Sequence, residues 1–166
     1  VGQLALPSQA NGSLVRSDGA VVGSALIGQS FTDADGTALP EWFQSRPSAA
    51  GAGYDGGASS GSNYGPENPD LISAIQDRKS AIESLDSVTA SEIPADALTA
   101  SGSGLDPHIS AAYALLQVPR VAEARGIPEA QVRALVEAFI QGRDLGYLGE
   151  PTVNVLQLNI ALAKLG

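Results

Sequence analysis

The stretch Thr99–Ala112, TASGSGLDPHISAA, gathers Ser101, Gly102, Ser103, Gly104, Asp106, Pro107 and His108, the only histidine of the chain. Three chemistries fit these residue types. Ser101 or Ser103 could act as a nucleophile, with His108 as base and Asp106 orienting it. The Gly/Ser run could present backbone amides to a phosphate at a helix N-terminus. Asp106-Pro107 could instead simply start a helix, its carboxylate capping the free amides of the first turn.

The third reading explains the most residues. It places His108 in the first helical turn, and Gly102 and Gly104 in the bend leading into it. It also weakens the hydrolase, since residues two apart do not face each other on a helix. The phosphate cradle lacks the lysine and spacing of a Walker loop, and Asp106 would repel an anion. A metal site has little to draw on: there is no cysteine, and the DADG turn at 33–36 has no properly spaced glutamate after it.

The elements that must position this stretch can be read from pattern. Residues 12–31 alternate in short apolar runs around Ser17-Asp18-Gly19, which predicts a β-hairpin, with Phe31 closing its far end. Residues 32–67 are rich in turn chemistry and predict a long loop holding Trp42, Arg46 and Tyr54. Asn68-Pro69 starts a helix with Leu71, Ile75, Ile82 and Leu85 on one stripe. A helix from Asp106-Pro107 buries Ile109, Ala112, Tyr113 and Leu116, and Pro119 interrupts it or opens another that Gly126 ends. Gln117 precedes that break and is placed as its cap, with partner or nucleotide contact as the sharper alternative. Pro128 opens an amphipathic helix that Gly142 ends. The last helix, TVNVLQLNIALAKLG, is apolar nearly all round and should run through the core. The expected fold is therefore α+β: an N-terminal hairpin or small antiparallel sheet, a long loop region, then four to five helices, in one domain.

The 166 residues suffice for one such domain with a real core. Hydrophobic residues make up 43%, too many for a disordered chain, while 19 Gly and 10 Pro point to well-defined loops. The net charge of −9 and scattered Lys and Arg argue against a nucleic-acid partner. No apolar run of about 18 residues is present to span a bilayer.

Six ordered phrases resemble one family: GSALIGQSF (23–31), RPSAAG (46–51), NYGPENPDLI (63–72), TASGSGLDPHIS (99–110), QVPRVAEARGIP (117–128) and LGEPTVNVLQLN (148–159). Together they are similar to the C subunit of the Kdp-type potassium-transporting ATPase, from Gly2 to about Leu162. That resemblance implies a single-pass membrane protein of the cell membrane. Its missing N-terminal helix would precede an extracytoplasmic domain, residues 1–166 here, with 1–11 as a membrane-proximal linker. The absence of methionine, even at position 1, fits that expectation.

The implied partners are a channel-like potassium-selecting A subunit, a P-type ATPase B subunit and a small F subunit. The implied role is non-catalytic and free of cofactors: assembly and stabilisation of the complex. The alternative is a catalytic chaperone that helps the B subunit bind ATP, with nucleotide contact through Ser101, Ser103 and Gln117. An extracytoplasmic domain could not touch a cytoplasmic nucleotide site directly.

Phe31, Trp42, Arg46 and Tyr54 are the candidates for contact with the A subunit, since aromatics and arginine dominate binding hot spots. Trp42 falls in residues 33–42, an insertion relative to the family-like phrases. Asn154 and Asn159, in the last phrase, are expected to tie the final helix to the 101–108 loop, because buried amides need partners.

Overall fold

A computed structural model describes residues 2–143, 145 and 147–165. Two single-turn helices, α1 (Gly2–Ala5) and α2 (Pro7–Ala10), lead into an antiparallel hairpin of β1 (Leu14–Ser17) and β2 (Ala20–Ser24). Its turn is built on Asp18 and Gly19, both left-handed at φ 49° and 82°. Such a pair twists with the strands, and only a small polar residue followed by glycine adopts it cheaply. The far end is closed by Ala25 N–H donating to the Ser13 carbonyl and Ser24 Oγ to that of Gly12, not by Phe31 as the sequence suggested.

No helix or strand lies between β2 and α3 (Pro69–Asp86). The start of α3 is as its sequence predicts: Asn68 Oδ1 accepts from the amides of Asp70 and Leu71, with Pro69 opening the first turn. A single-turn α4 (Ala95–Leu98) follows, which the sequence did not announce.

The segment from Asp106 departs most from expectation. It is not helical: His108–Ser110 forms β3, which pairs antiparallel with β4 (Thr152–Asn154). The helix starts four residues later than expected, as α5 (Ala111–Leu116), and its cap is Ser110, whose Oγ accepts from Tyr113 N–H. Ser110 is in turn fixed by Asp96, which accepts from both its amide and its hydroxyl. A cap with an external carboxylate behind it outcompetes Asp106-Pro107 as the start. In the same way, the first three residues assigned to the last helix belong to β4, and α8 covers Val155–Leu162 behind an Asn154 cap.

Pro119 opens α6 (Val118–Arg125), and left-handed Gly126 closes it. α7 covers Glu129–Phe139. Val118, Val121, Val132, Val136, Val153, Leu158 and Leu162 are fully buried and join Ile109, Tyr113 and Phe43 in one core. Five buried residues of α8 confirm its central place.

Phe43 reaches this core from the long loop, and the backbone around it needs partners there. Asn159 gives them: its Oδ1 accepts from Phe43 N–H and its Nδ2 donates to Phe43 O, both at 3.0 Å. Gln117 does the same for the next residue, accepting from Gln44 N–H at 2.6 Å and donating to its carbonyl at 3.1 Å. Two side-chain amides thus stand in for a neighbouring strand. The carbonyls of Pro40 and Trp42 accept from Arg120, and that of Glu41 accepts from Arg125. The result is a strap, residues 40–44, bound by its main chain to α6 and α8.

Candidate functional site

The motif loop is woven into the strap's continuation. The Ser103 carbonyl accepts from Ser60 N–H and Ser59 Oγ, and the Gly104 carbonyl from Ser48 Oγ at 2.6 Å. Leu105's carbonyl accepts from Gly28 N–H. Ser48 Oγ itself accepts from the amides of Ala50 and Tyr54, so a single hydroxyl joins two loops. Pro107 is buried, and its carbonyl accepts from Val155 N–H at the start of α8.

Because residues 106–108 are extended, Asp106 and His108 do meet, contrary to the argument from helical spacing. Asp106 Oδ1 accepts from His108 N–H at 3.0 Å and lies 3.2 Å from its Nδ1. Asp106 Oδ2 lies 3.1 Å from Arg46 Nη1, and Arg46 Nη2 donates to the Thr99 carbonyl. These bonds, chiefly that from His108, hold the Asp106 carboxyl below its ordinary range despite partial burial. Ser101 and Ser103 do not complete a triad: their Oγ atoms lie 3.4 Å from each other, and neither bonds to His108. Among the described residues no three His, Cys, Asp or Glu side chains gather to hold a metal ion.

The depressed pKa has a consequence for stability. A carboxyl whose folded value lies below its unfolded one stabilises the fold above the unfolded value, and that contribution is lost as pH falls through the folded one. The wild-type chain should therefore lose melting temperature as pH drops below about 4, and Asp106→Asn should flatten that slope. Thermal melts at pH 7 and pH 3.5 of both proteins check this; parallel curves would refute it.

Other candidates fall in different places. Phe31 and Trp42 pack together with centroids 6.2 Å apart, and the Arg125 guanidinium sits 4.3 Å from the Trp42 ring. Both rings are half-buried against the core. Arg46 and Tyr54 form a second pair, with the Tyr54 hydroxyl donating to the Arg46 carbonyl at 2.5 Å. Burial pushes this phenol up to about 12. Asn154 and Asn159 are almost fully buried but do not bond to the 101–108 loop through their side chains. Asn154 caps α8 and donates to Ala25 O, while Asn159 holds Phe43. Gln117 does occupy the cap position between α5 and α6, but its side chain does no capping: this fully buried amide holds Gln44 and accepts from Arg120 Nη2.

Sequence reasoning missed Asp86, Arg120 and Asp96. Arg120 Nε lies 2.7 Å from Asp86 Oδ1, and both side chains are nearly inaccessible. One signal was available, since Asp86 follows Ile82 by four residues and so continues the apolar stripe of α3.

A small α+β domain whose polar motif is tied into its own backbone is thus defined, built around a strap held by amides and arginines. This chain belongs to the KdpC family, the c chains of K+-transporting ATPases, which it matches over residues 1–164. It is 58% identical to the potassium-transporting ATPase KdpC subunit of Caulobacter vibrioides over 163 residues, 98% of this chain and 79% of that protein. The subunit of the same name from Kineococcus radiotolerans is 54% identical over 162 residues, again 98% and 79%. That of Mycobacterium tuberculosis is 52% identical over 166 residues, 99% of this chain and 85% of the relative. No helix among the described residues is long and apolar enough to cross a membrane.

Proposed function

We propose that this chain is a non-catalytic accessory subunit of an ATP-driven potassium uptake complex. It assembles and stabilises a channel-like A subunit and a P-type ATPase B subunit, together with a small F subunit. Its domain lies on the extracytoplasmic side of the cell membrane and docks on the A subunit through the half-buried Phe31–Trp42 face. One observation carries the non-catalytic part. The motif's chemically capable groups already serve the fold: Asp106 by Arg46 and His108, and the Ser103 and Gly104 carbonyls by serines of the preceding loop.

The nucleotide reading would need Gln117 at a surface shared with Ser101 and Ser103. Gln117 is fully buried and holds the strap, so exposing it would cost core contacts.

The test uses the full-length subunit co-expressed with the other subunits of its complex. Potassium-stimulated ATPase activity in the purified assembly should fall at least about tenfold when this domain is removed, and fewer intact complexes should be recovered. Unchanged recovery and activity would overturn the accessory role. Isothermal titration of the isolated chain with ATP should give no heat of binding; saturable binding would restore the nucleotide reading.

A further inference from the structure

Asn11 is followed by Gly12, and no other asparagine of the chain precedes a glycine: Tyr64, Pro69, Val155 and Ile160 follow the rest. The pairing has a chemistry of its own. A deprotonated backbone nitrogen can attack the side-chain carbonyl carbon of the asparagine before it, closing a five-membered imide ring. Glycine hinders this attack least, since it carries no Cβ beside the nitrogen. Val155 and Ile160 are branched at that point, and Pro69 has no N–H to lose.

The surroundings leave Asn11 able to react. Residues 2–12 are all exposed, and neither α1 nor α2 buries a side chain. Such single-turn helices cost little to open, because one turn does not repay its own nucleation. The joint that follows is strained, with Ser13 left-handed at φ 48°. When closed, the segment is fastened by hydrogen bonds at its surface. Asn11 Nδ2 donates to the Pro7 carbonyl at 2.6 Å and to Gln3 Oε1 at 3.2 Å, and Asn11 Oδ1 accepts from Gln3 Nε2 at 3.3 Å. The Gly12 N–H donates to the Gln9 carbonyl at 3.2 Å. Ring closure starts when that last bond opens and the freed nitrogen turns onto Asn11 Cγ. Asn154 and Asn159 have no such freedom, since each is 2% exposed and its side chain is bonded to main-chain groups through both Oδ1 and Nδ2.

We propose that Asn11 is a self-modification site, at which water converts the amide to a carboxylate through an imide shared with Gly12. The Gly12 nitrogen gives its proton to hydroxide and bonds to Asn11 Cγ. The Cγ–Nδ2 bond breaks, and Nδ2 takes up a proton and leaves as ammonia. Water then opens the imide at either carbonyl. Opening at Cγ leaves an ordinary aspartate. Opening at the main-chain carbonyl leaves isoaspartate, whose backbone runs through the side chain and is one carbon longer. Amide and water become acid and ammonia, and nothing is oxidised or reduced. Either product loses the Nδ2 donor and sets a carboxylate against the Pro7 carbonyl oxygen. Isoaspartate also displaces Gly12 and Ser13, whose carbonyls accept from Ser24 Oγ and Ala25 N–H at the base of the hairpin. The modification thus unfastens α1 and α2 from the hairpin and leaves the core untouched.

The intact chain supplies the test, aged at mildly alkaline pH and then digested with trypsin. The peptide ending at Arg16 holds Asn11 and no other asparagine. It should gain the mass of an amide-to-acid exchange several-fold faster than Asn63, Asn68, Asn154 or Asn159 does, and fragmentation should show isoaspartate beside aspartate. Asn11→Gln, whose longer side chain would need a six-membered ring, should show no gain in the same time. Backbone hydrogen exchange over residues 3–13 should quicken in the aged chain, while that of α5 to α8 stays the same. A gain at Asn11 no faster than at the exposed Asn63, or an aged chain whose exchange is unchanged, would overturn the proposal.

Discussion

Replacing Arg120 with methionine should destabilise the chain by about 3–5 kcal/mol at neutral pH, because it leaves the Asp86 carboxylate buried without its cation. The loss is large against the roughly 5–15 kcal/mol that a domain has in total. Part of it is independent of pH, since the carbonyls of Pro40 and Trp42 also lose their donor. The rest is not. Burial pushes the Asp86 carboxyl above its ordinary 3.8, against the opposing pull of Arg120, and its Oδ2 has no hydrogen-bond partner among the described residues. A carboxyl with a raised folded pKa contributes its stability below the unfolded value and loses it as pH rises through the folded one. Without Arg120 the pKa climbs further, so the variant's deficit should be greatest at pH 7 and shrink towards pH 4.5. Denaturant melts at the two pH values check this, and an equal deficit at both would show that the charge of Asp86 is not the source. Adding Asp86→Leu to Arg120→Met should recover much of the stability, since an apolar pair of similar volume often replaces a buried ion pair without loss.

Gly104→Ala should be nearly as damaging, at about 3 kcal/mol or more. Gly104 has a φ of +68°, and a Cβ there would lie 2.5 Å from the Ser60 carbonyl oxygen and 2.7 Å from the Ala50 amide nitrogen. Both are backbone atoms of the loop that the motif is bonded to, so relief requires separating the two loops. Gly102 provides the control. A Cβ at that position meets nothing within 4 Å among the described residues, and Gly102→Ala should change stability by no more than about 0.5 kcal/mol. Thermal melts of the two variants side by side decide the matter. Similar small effects would mean that the loop is a flexible surface turn and not a packed joint.

The elements legible in the sequence were those with local causes. The hairpin turn at Asp18-Gly19, the Asn68-Pro69 start of α3, the Gly126 stop and the apolar α8 all follow from neighbouring residues. The error at Asp106-Pro107 has the opposite origin. The local signal for a helix was present, but β4 arrives from more than forty residues away to pair with His108–Ser110, and Asp96 reinforces Ser110 as the actual cap. A tertiary partner outweighed the local preference. The same distance hid the role of the buried amides. Gln117 was expected to cap the break before Pro119 and Asn159 to find a buried partner in the 101–108 loop, yet nothing near them in sequence names Gln44 or Phe43 as the groups they hold. Of the motif, the residue types were right and the geometry was not: the pairing of Asp106 with His108 was dismissed on a helix that does not form.

The amide-held strap also dictates the order in which the molecule can be completed. Phe43 and Asn159 lie 116 positions apart, and Gln44 and Gln117 lie 73 apart. A chain emerging from its N-terminus at roughly 5–20 residues per second thus presents residues 40–44 long before either amide has been synthesised. Such long-range closures come late and slowly. The hairpin can form at once, but Phe43 remains exposed until α8 is in place. Removing the last turn and a half of α8 would therefore not trim a terminus; it would leave the long loop without the residue that docks it.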